Sequence, residues 1–167
     1  MILIPHIIVG AVIGAKIKHF GWIIILGLFS HLLLDKIPHW DYLPKGIKRL
    51  AQERNYKGLL IVVFIIMVDG LIGLAIVFLI IWQKDMINLN NLQFILVGIL
   101  ASIFPDIILG IAGLVEGFFS KFEKITTKYI NFHEKVLHCS KHIRKPTLLG
   151  VSTQILISAI AILILLI

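Results

Sequence analysis

From Gly58 to Trp82 the chain runs without a break through apolar residues and carries a single ionisable side chain, Asp69. Coiled as a helix, that run is about 37 Å long, enough to cross a hydrocarbon core of roughly 30 Å. Inside lipid every backbone N–H and C=O must find its partner within the protein, so a run of this kind reads as a helix. Residues 148–167 form a second run of spanning length, and residues 2–17, 21–35 and 93–112 are three further apolar segments. The reading is an all-α, polytopic membrane helical bundle of about five transmembrane or half-deep helices, with residues 1–167 forming a single membrane-embedded domain. Segments 2–17 and 21–35 reach only about 24 Å as helices, which fits tilted helices or a half-deep hairpin turning at Phe20-Gly21.

Composition agrees with that class. The chain is 59% hydrophobic and 15% charged, with a mean hydropathy of +1.00, far from the balance of a soluble domain. No basic leader precedes the apolar residues at Met1–His6, so the first segment is expected to be a retained helix. Cys139 is the lone cysteine, which excludes an intramolecular disulfide and a thiolate metal cage. If all five segments cross, thirteen of the Lys and Arg residues fall in 36–57 and 113–147, on the side of the N-terminus. Only Lys16, Lys18 and Lys84 fall on the other. The excess places the N-terminus in the cytoplasm and the C-terminus outside, in the cell (inner) membrane. Anionic headgroups account for the net charge of +7, so the expected partners are membrane lipid and a phosphate-bearing lipid substrate, with no nucleic acid.

Against this apolar background the ionisable residues stand out. His31 and Asp35 are four apart at the end of the second segment, a spacing that stacks two side chains on one helical face, about 5–6 Å apart at Cβ. His6 follows Pro5 at the start of the first segment. Asp69 lies roughly 16 Å into the third, and Asp106 follows Pro105, whose ring removes a helical hydrogen bond and can open room for an ion. His39 and Asp41 follow the second segment, with Pro38 expected to turn the chain before them. In the proposed topology all of these fall in the cytoplasmic half of the membrane. Each has a plain structural alternative: a packing pair for His31 and Asp35, a neutral carboxyl for Asp69, a solvated end for His6. Their convergence from separate segments favours one polar site, because intramembrane ionisable residues are costly without a function.

The mixed segment 113–147 reads as interfacial cytoplasmic helices lying on the membrane surface. Within it Glu134, His138 and His142 repeat every four residues, with His133 turned about 100° away, and an exposed polar face is the alternative. The stretch from His133 to His138 is one residue too long for a His-Glu-x-x-His protease motif.

Three elements, His6 in Pro-His-Ile-Ile-Val-Gly, Ser30-His31-Leu32-Leu33-Leu34-Asp35 and Phe104-Pro105-Asp106-Ile107, resemble the LexA-regulated, membrane-bound metal-dependent hydrolases. More distantly, His31-x-x-x-Asp35-x-x-x-His39 is similar to part of the zinc-dependent phospholipase C and S1/P1 nuclease pattern. The resemblance covers short islands, and Ile108 stands where the first family has a second acid. It implies that the His-x-x-x-Asp and Pro-Asp elements hold metal.

The expected metal ligands are thus His6, His31, Asp35, His39, Asp69, Asp106, His133, His138 and His142, with Asp41 or Glu134 as proton acceptor. A nitrogen and oxygen set without thiolate suits zinc foremost, then manganese or iron. The expected function is metal-assisted hydrolysis of a phosphoester in a membrane lipid or lipid-linked headgroup. The alternatives are a carrier or channel for a divalent cation or protons, with Asp69 and Asp106 as binding steps, and a structural membrane protein. A carrier this small would need a homo-oligomer, for which Gly10-x-x-x-Gly14 and Gly113-x-x-x-Gly117 permit close contact, although both can serve packing within one chain.

Overall fold

The computed structural model describes residues 2–40, 50, 53, 55–119, 122–132 and 147–167. Among these are six α-helices: α1 (Leu3–Lys16), α2 (Phe20–Lys36), α3 (Tyr56–Gln83), α4 (Leu89–Phe118), α5 (Glu123–Phe132) and α6 (Leu148–Leu166). Three stretches are long and apolar enough to cross a membrane: Tyr56–Gln83, Leu89–Glu116 and Leu148–Leu166. The helices α1 and α2 are shorter, at 14 and 17 residues. Their turn lies at Ile17–His19, ahead of the Phe20-Gly21 pair, because the His19 side chain accepts from the Trp22 N–H and starts α2 at Phe20. Pro105 does not interrupt α4, which continues through it to Phe118.

The short α1 is the inner helix of the bundle. It packs on α4 most closely, then on α3, α6 and α2, and buries Leu3, His6, Ile7, Ile8, Ala11 and Ala15. Two glycines let it approach α4 backbone to backbone. A Cβ at Gly10 would stand 2.5 Å from the Gly98 carbonyl oxygen, and one at Gly14 would collide with that of Phe94. Such close approach is how helices associate where lipid removes the hydrophobic drive between them. The Gly10-x-x-x-Gly14 pair therefore serves packing within the chain. Ile95 and Ile99 of α4, Val77, Ile80 and Ile81 of α3, and Ala161 and Leu165 of α6 complete the core around α1.

Because neighbouring helices enclose it, α1 need not match the lipid thickness. It runs parallel to the second half of α3, with Ile4 and Ile7 against Gly73 and the Leu3 N–H donating to Asp69 Oδ2. Asp69 is about 20 Å along α3 from Tyr56, so α1 begins deep inside the bundle. A helix N-terminus there carries orphan N–H groups and a partial positive charge. Asp69 answers both, and Pro5 has no N–H to satisfy. The carboxylate in the middle of α3 is thus the cap of the central helix.

Two ends of the bundle are defined by contacts between loops. At one, Lys18 Nζ donates to Asn91 Oδ1 over 3.0 Å. At the other, the chain leaving α2 docks on the start of α6: Trp40 N–H donates to the Gly150 carbonyl, the Gln154 amide to that of Trp40, and the Thr153 hydroxyl to that of Pro38 over 2.7 Å. The outer face of α3 is apolar along its length, with Leu60, Phe64, Leu71 and Leu79 more than half exposed, as a lipid-facing helix requires.

Two substitutions test this packing. Gly14→Val should destabilise the bundle by about 1–3 kcal/mol through overpacking, and Asp69→Ala by about 1 kcal/mol through loss of the cap, with Asp69→Asn milder. Thermal or detergent-induced unfolding of the purified protein measures both.

Candidate metal centre

Three helices bring four ionisable side chains to one place. Gly27 of α2 faces Ala101 of α4, where an added Cβ would stand 2.6 Å from the alanine methyl. That pair of small residues lets α2 close on α4. One turn later Ser30 and His31 reach Ser102: the Ser30 hydroxyl donates to the Gly27 carbonyl over 2.7 Å and stands 3.3 Å from the Ser102 hydroxyl. His31 Nδ1 lies 2.9 Å from the Ser102 carbonyl oxygen. A carbonyl only accepts, so Nδ1 carries the proton, and in the neutral ring Nε2 carries the lone pair.

That nitrogen faces carboxylates. His31 Nε2 is 3.2 Å from Asp35 Oδ2 and 3.9 Å from Asp106 Oδ1. From α1, His6 Nε2 lies 3.3 Å from the other oxygen of Asp35, and the two imidazoles stack with centroids 4.5 Å apart at 31°. Neither ring nitrogen of His6 makes a hydrogen bond. His6, His31 and Asp35 are fully buried, whereas the Asp106 side chain is 19% exposed and is the edge by which the cluster meets the surroundings.

Lone pairs on imidazole nitrogen and carboxylate oxygen repel when they point at one another. Two imidazoles and two carboxylates thus converge in an apolar interior, where ionised carboxylates are costly to hold and attract positive charge. A divalent cation supplies it. Ligand atoms around a tetrahedral ion at ~2.1 Å stand about 3.4 Å apart, and the separations of 3.2, 3.3 and 3.9 Å bracket that value. One atom each from His6, His31 and Asp106 falls within 4.8 Å of the others, so this group could hold a metal ion. The Ser102 carbonyl behind His31 is the kind of outer partner that fixes the tautomer and aim of a metal-bound imidazole.

The other expected ligands lie elsewhere or outside the described residues. Asp69 is engaged at the start of α1. His39 is buried beside α6, its Nδ1–H donating to the Ile37 carbonyl over 2.7 Å. Asp41, His133, Glu134, His138 and His142 lie outside the described residues.

Two contributors have no signal in a residue pattern. One is the Ser102 carbonyl, a backbone group. The other is Tyr129 of α5, whose hydroxyl donates to the Pro105 carbonyl over 3.0 Å. Burial, and secondarily the Asp106 carboxylate, holds the Tyr129 phenol above its ordinary pKa, so it remains a protonated donor beside the open edge of the cluster.

Compared with protein-family models, curated proteins and solved structures, the chain finds no match in any of the three. Its chemistry therefore rests on the geometry above.

Elemental analysis of protein purified without chelator should find a divalent metal. His31→Ala and Asp106→Ala should each weaken its retention at least about tenfold, while Lys84→Ala, at the other end of the bundle, should leave it unchanged.

Proposed function

We infer that the protein is a membrane-bound, metal-dependent hydrolase acting on a phosphoester of a lipid or lipid-linked substrate. The observation that carries this reading is the buried meeting of His31 Nε2, Asp35, His6 and Asp106, with His31 oriented by a backbone carbonyl. The donor set of imidazole and carboxylate favours zinc, with manganese and iron as neighbours in preference. When bound, such an ion supplies an acidified water and polarises a phosphoryl oxygen.

The chain's own residues supply the rest. Asp35 presents one oxygen to each imidazole and holds both rings toward the same point. Asp106, from the other wall, leaves part of its side chain exposed. Its neighbours Phe104 and Ile107 are 51% and 39% exposed, so the way in is bordered by an apolar surface, which suits a substrate that arrives with its chain in lipid. Proton acceptance from the attacking water falls to Asp41 or Glu134 in this proposal.

The site lies about 25 Å along α4 from Leu89, toward the end of the bundle where α2 stops and α3 begins, and thirteen of the sixteen Lys and Arg residues fall in the sequence segments 36–57 and 113–147. We accordingly place that end in the cytoplasm, with the C-terminus outside. The resemblance carried by His6, His31-x-x-x-Asp35 and Pro105-Asp106 implies the same class of reaction.

Phosphate release from mixed micelles of phospholipid and lipid phosphate tests the reading. Chelation should abolish release and zinc should restore it, and His31→Ala and Asp35→Asn should lower it about 10- to 100-fold. Release that survives chelation, or zinc flux into proteoliposomes without hydrolysis, would contradict it.

A further inference from the structure

Beyond Asp106 in sequence, two further buried oxygen groups stand on α4 and α5 without hydrogen-bond partners. Glu116 of α4 is 5% exposed, and both of its carboxylate oxygens are buried without a hydrogen bond or ion pair. The hydroxyl of Thr127, on α5, is also buried without a hydrogen-bond partner. A carboxylate in that state is costly, and unsatisfied buried groups of this kind call for a missing partner such as an ion.

The two residues flank the connection between α4 and α5. The helices turn back on one another at Phe119–Phe122, where the Phe122 N–H donates to the Phe119 carbonyl, and Tyr129 ties them again at Pro105. Glu116 is three residues before Phe119 and Thr127 five after Phe122, so each stands within about a turn and a half of the α4–α5 connection. Pro105, Ala112 and Glu116 recur at i, i+7 and i+11, a single stripe of α4, and all three are buried. Tyr129 sits at one end of that stripe. On α5 the buried side is set by Thr126 and Ile130, with Thr127 adjacent. Lys124 and Lys128 are exposed and make no ion pair with Glu116.

The position adds to the attraction for a cation. Glu116 stands in the last turn of α4, where the terminal carbonyls lack helical partners and the helix carries a partial negative charge. Carboxylate, hydroxyl and carbonyl oxygen, with no nitrogen or sulfur, are the ligands of hard cations. So few protein oxygens suit an ion that keeps several of its waters, as Mg2+ does.

We propose that Glu116 and Thr127 form an oxygen-only site for a hydrated Mg2+ between α4 and α5, separate from the His6–Asp106 centre. Ten residues of α4 divide the two, about 15 Å along its axis. An ion there fixes α5 against α4 and so keeps Tyr129 beside Asp106. The assignment does not depend on the hydrolase reading.

Manganese serves as the spectroscopic stand-in for magnesium. Full-length protein in uncharged detergent, loaded first with zinc, is titrated with Mn2+ and followed by electron paramagnetic resonance. The zinc-loaded protein should bind one further Mn2+ per chain, displaced by Mg2+. Glu116→Gln and the shape-conserving Thr127→Val should each weaken it about tenfold or more. Zinc content should stay at the native level in both, which keeps this result separate from that on the first centre. Absence of Mn2+ binding to zinc-loaded protein, or equal binding by both variants, would overturn the assignment.

Discussion

The hydrogen bond from His31 Nδ1 to the Ser102 carbonyl decides what the rest of the centre must be. It consumes the ring's proton on the side of α4 and turns the other nitrogen, with its lone pair, toward Asp35 and Asp106. That aim leaves a group of nitrogen and oxygen atoms that could hold a metal ion. The bond in turn depends on helix contact, because only small residues at Gly27, Ala101 and Ser102 allow α2 to come so near α4. Packing of the apolar bundle and aim of the polar cluster are therefore one problem.

The central position of α1 follows from a similar economy. Glycines at 10 and 14 let it sit directly on the α4 backbone, and Asp69 receives its first N–H. Those two features hold His6 at the depth of His31 and Asp35. A short helix that looks inadequate as a span is adequate as the inner wall of a site, since protein rather than lipid surrounds it. Asp69 then acts on the site at one remove, through the helix that carries His6.

Much of this was legible in the residues. Long apolar runs marked α3 and α6, because their length and composition leave no other stable arrangement in lipid. The four-residue spacing of His31 and Asp35 placed them on one face, and Asp106 after Pro105 marked a third contributor. Helix ends were less legible. The end of α4 at Phe118 lies six residues beyond the apolar run that ends at 112, because amphipathic residues continue a helix once α5 and α3 cover them. Asp69 was expected among the metal ligands, and no one-dimensional pattern reveals that the N-terminus of a distant helix meets it. Ser102 acts through its backbone and Tyr129 through a tertiary contact of α5 with Pro105, so neither leaves a periodic trace. Helical spacing reports which residues share a face, while the partner of that face is a property of the assembled bundle.

The central claim is that His6, His31, Asp35 and Asp106 enclose a divalent ion, and X-ray absorption at the metal edge of the purified protein tests it most directly. The account predicts a zinc centre with a shell of only nitrogen and oxygen at about 2.0–2.2 Å, including imidazole scattering from two histidines. A metal-free protein, or a shell containing sulfur at about 2.3 Å, would contradict it.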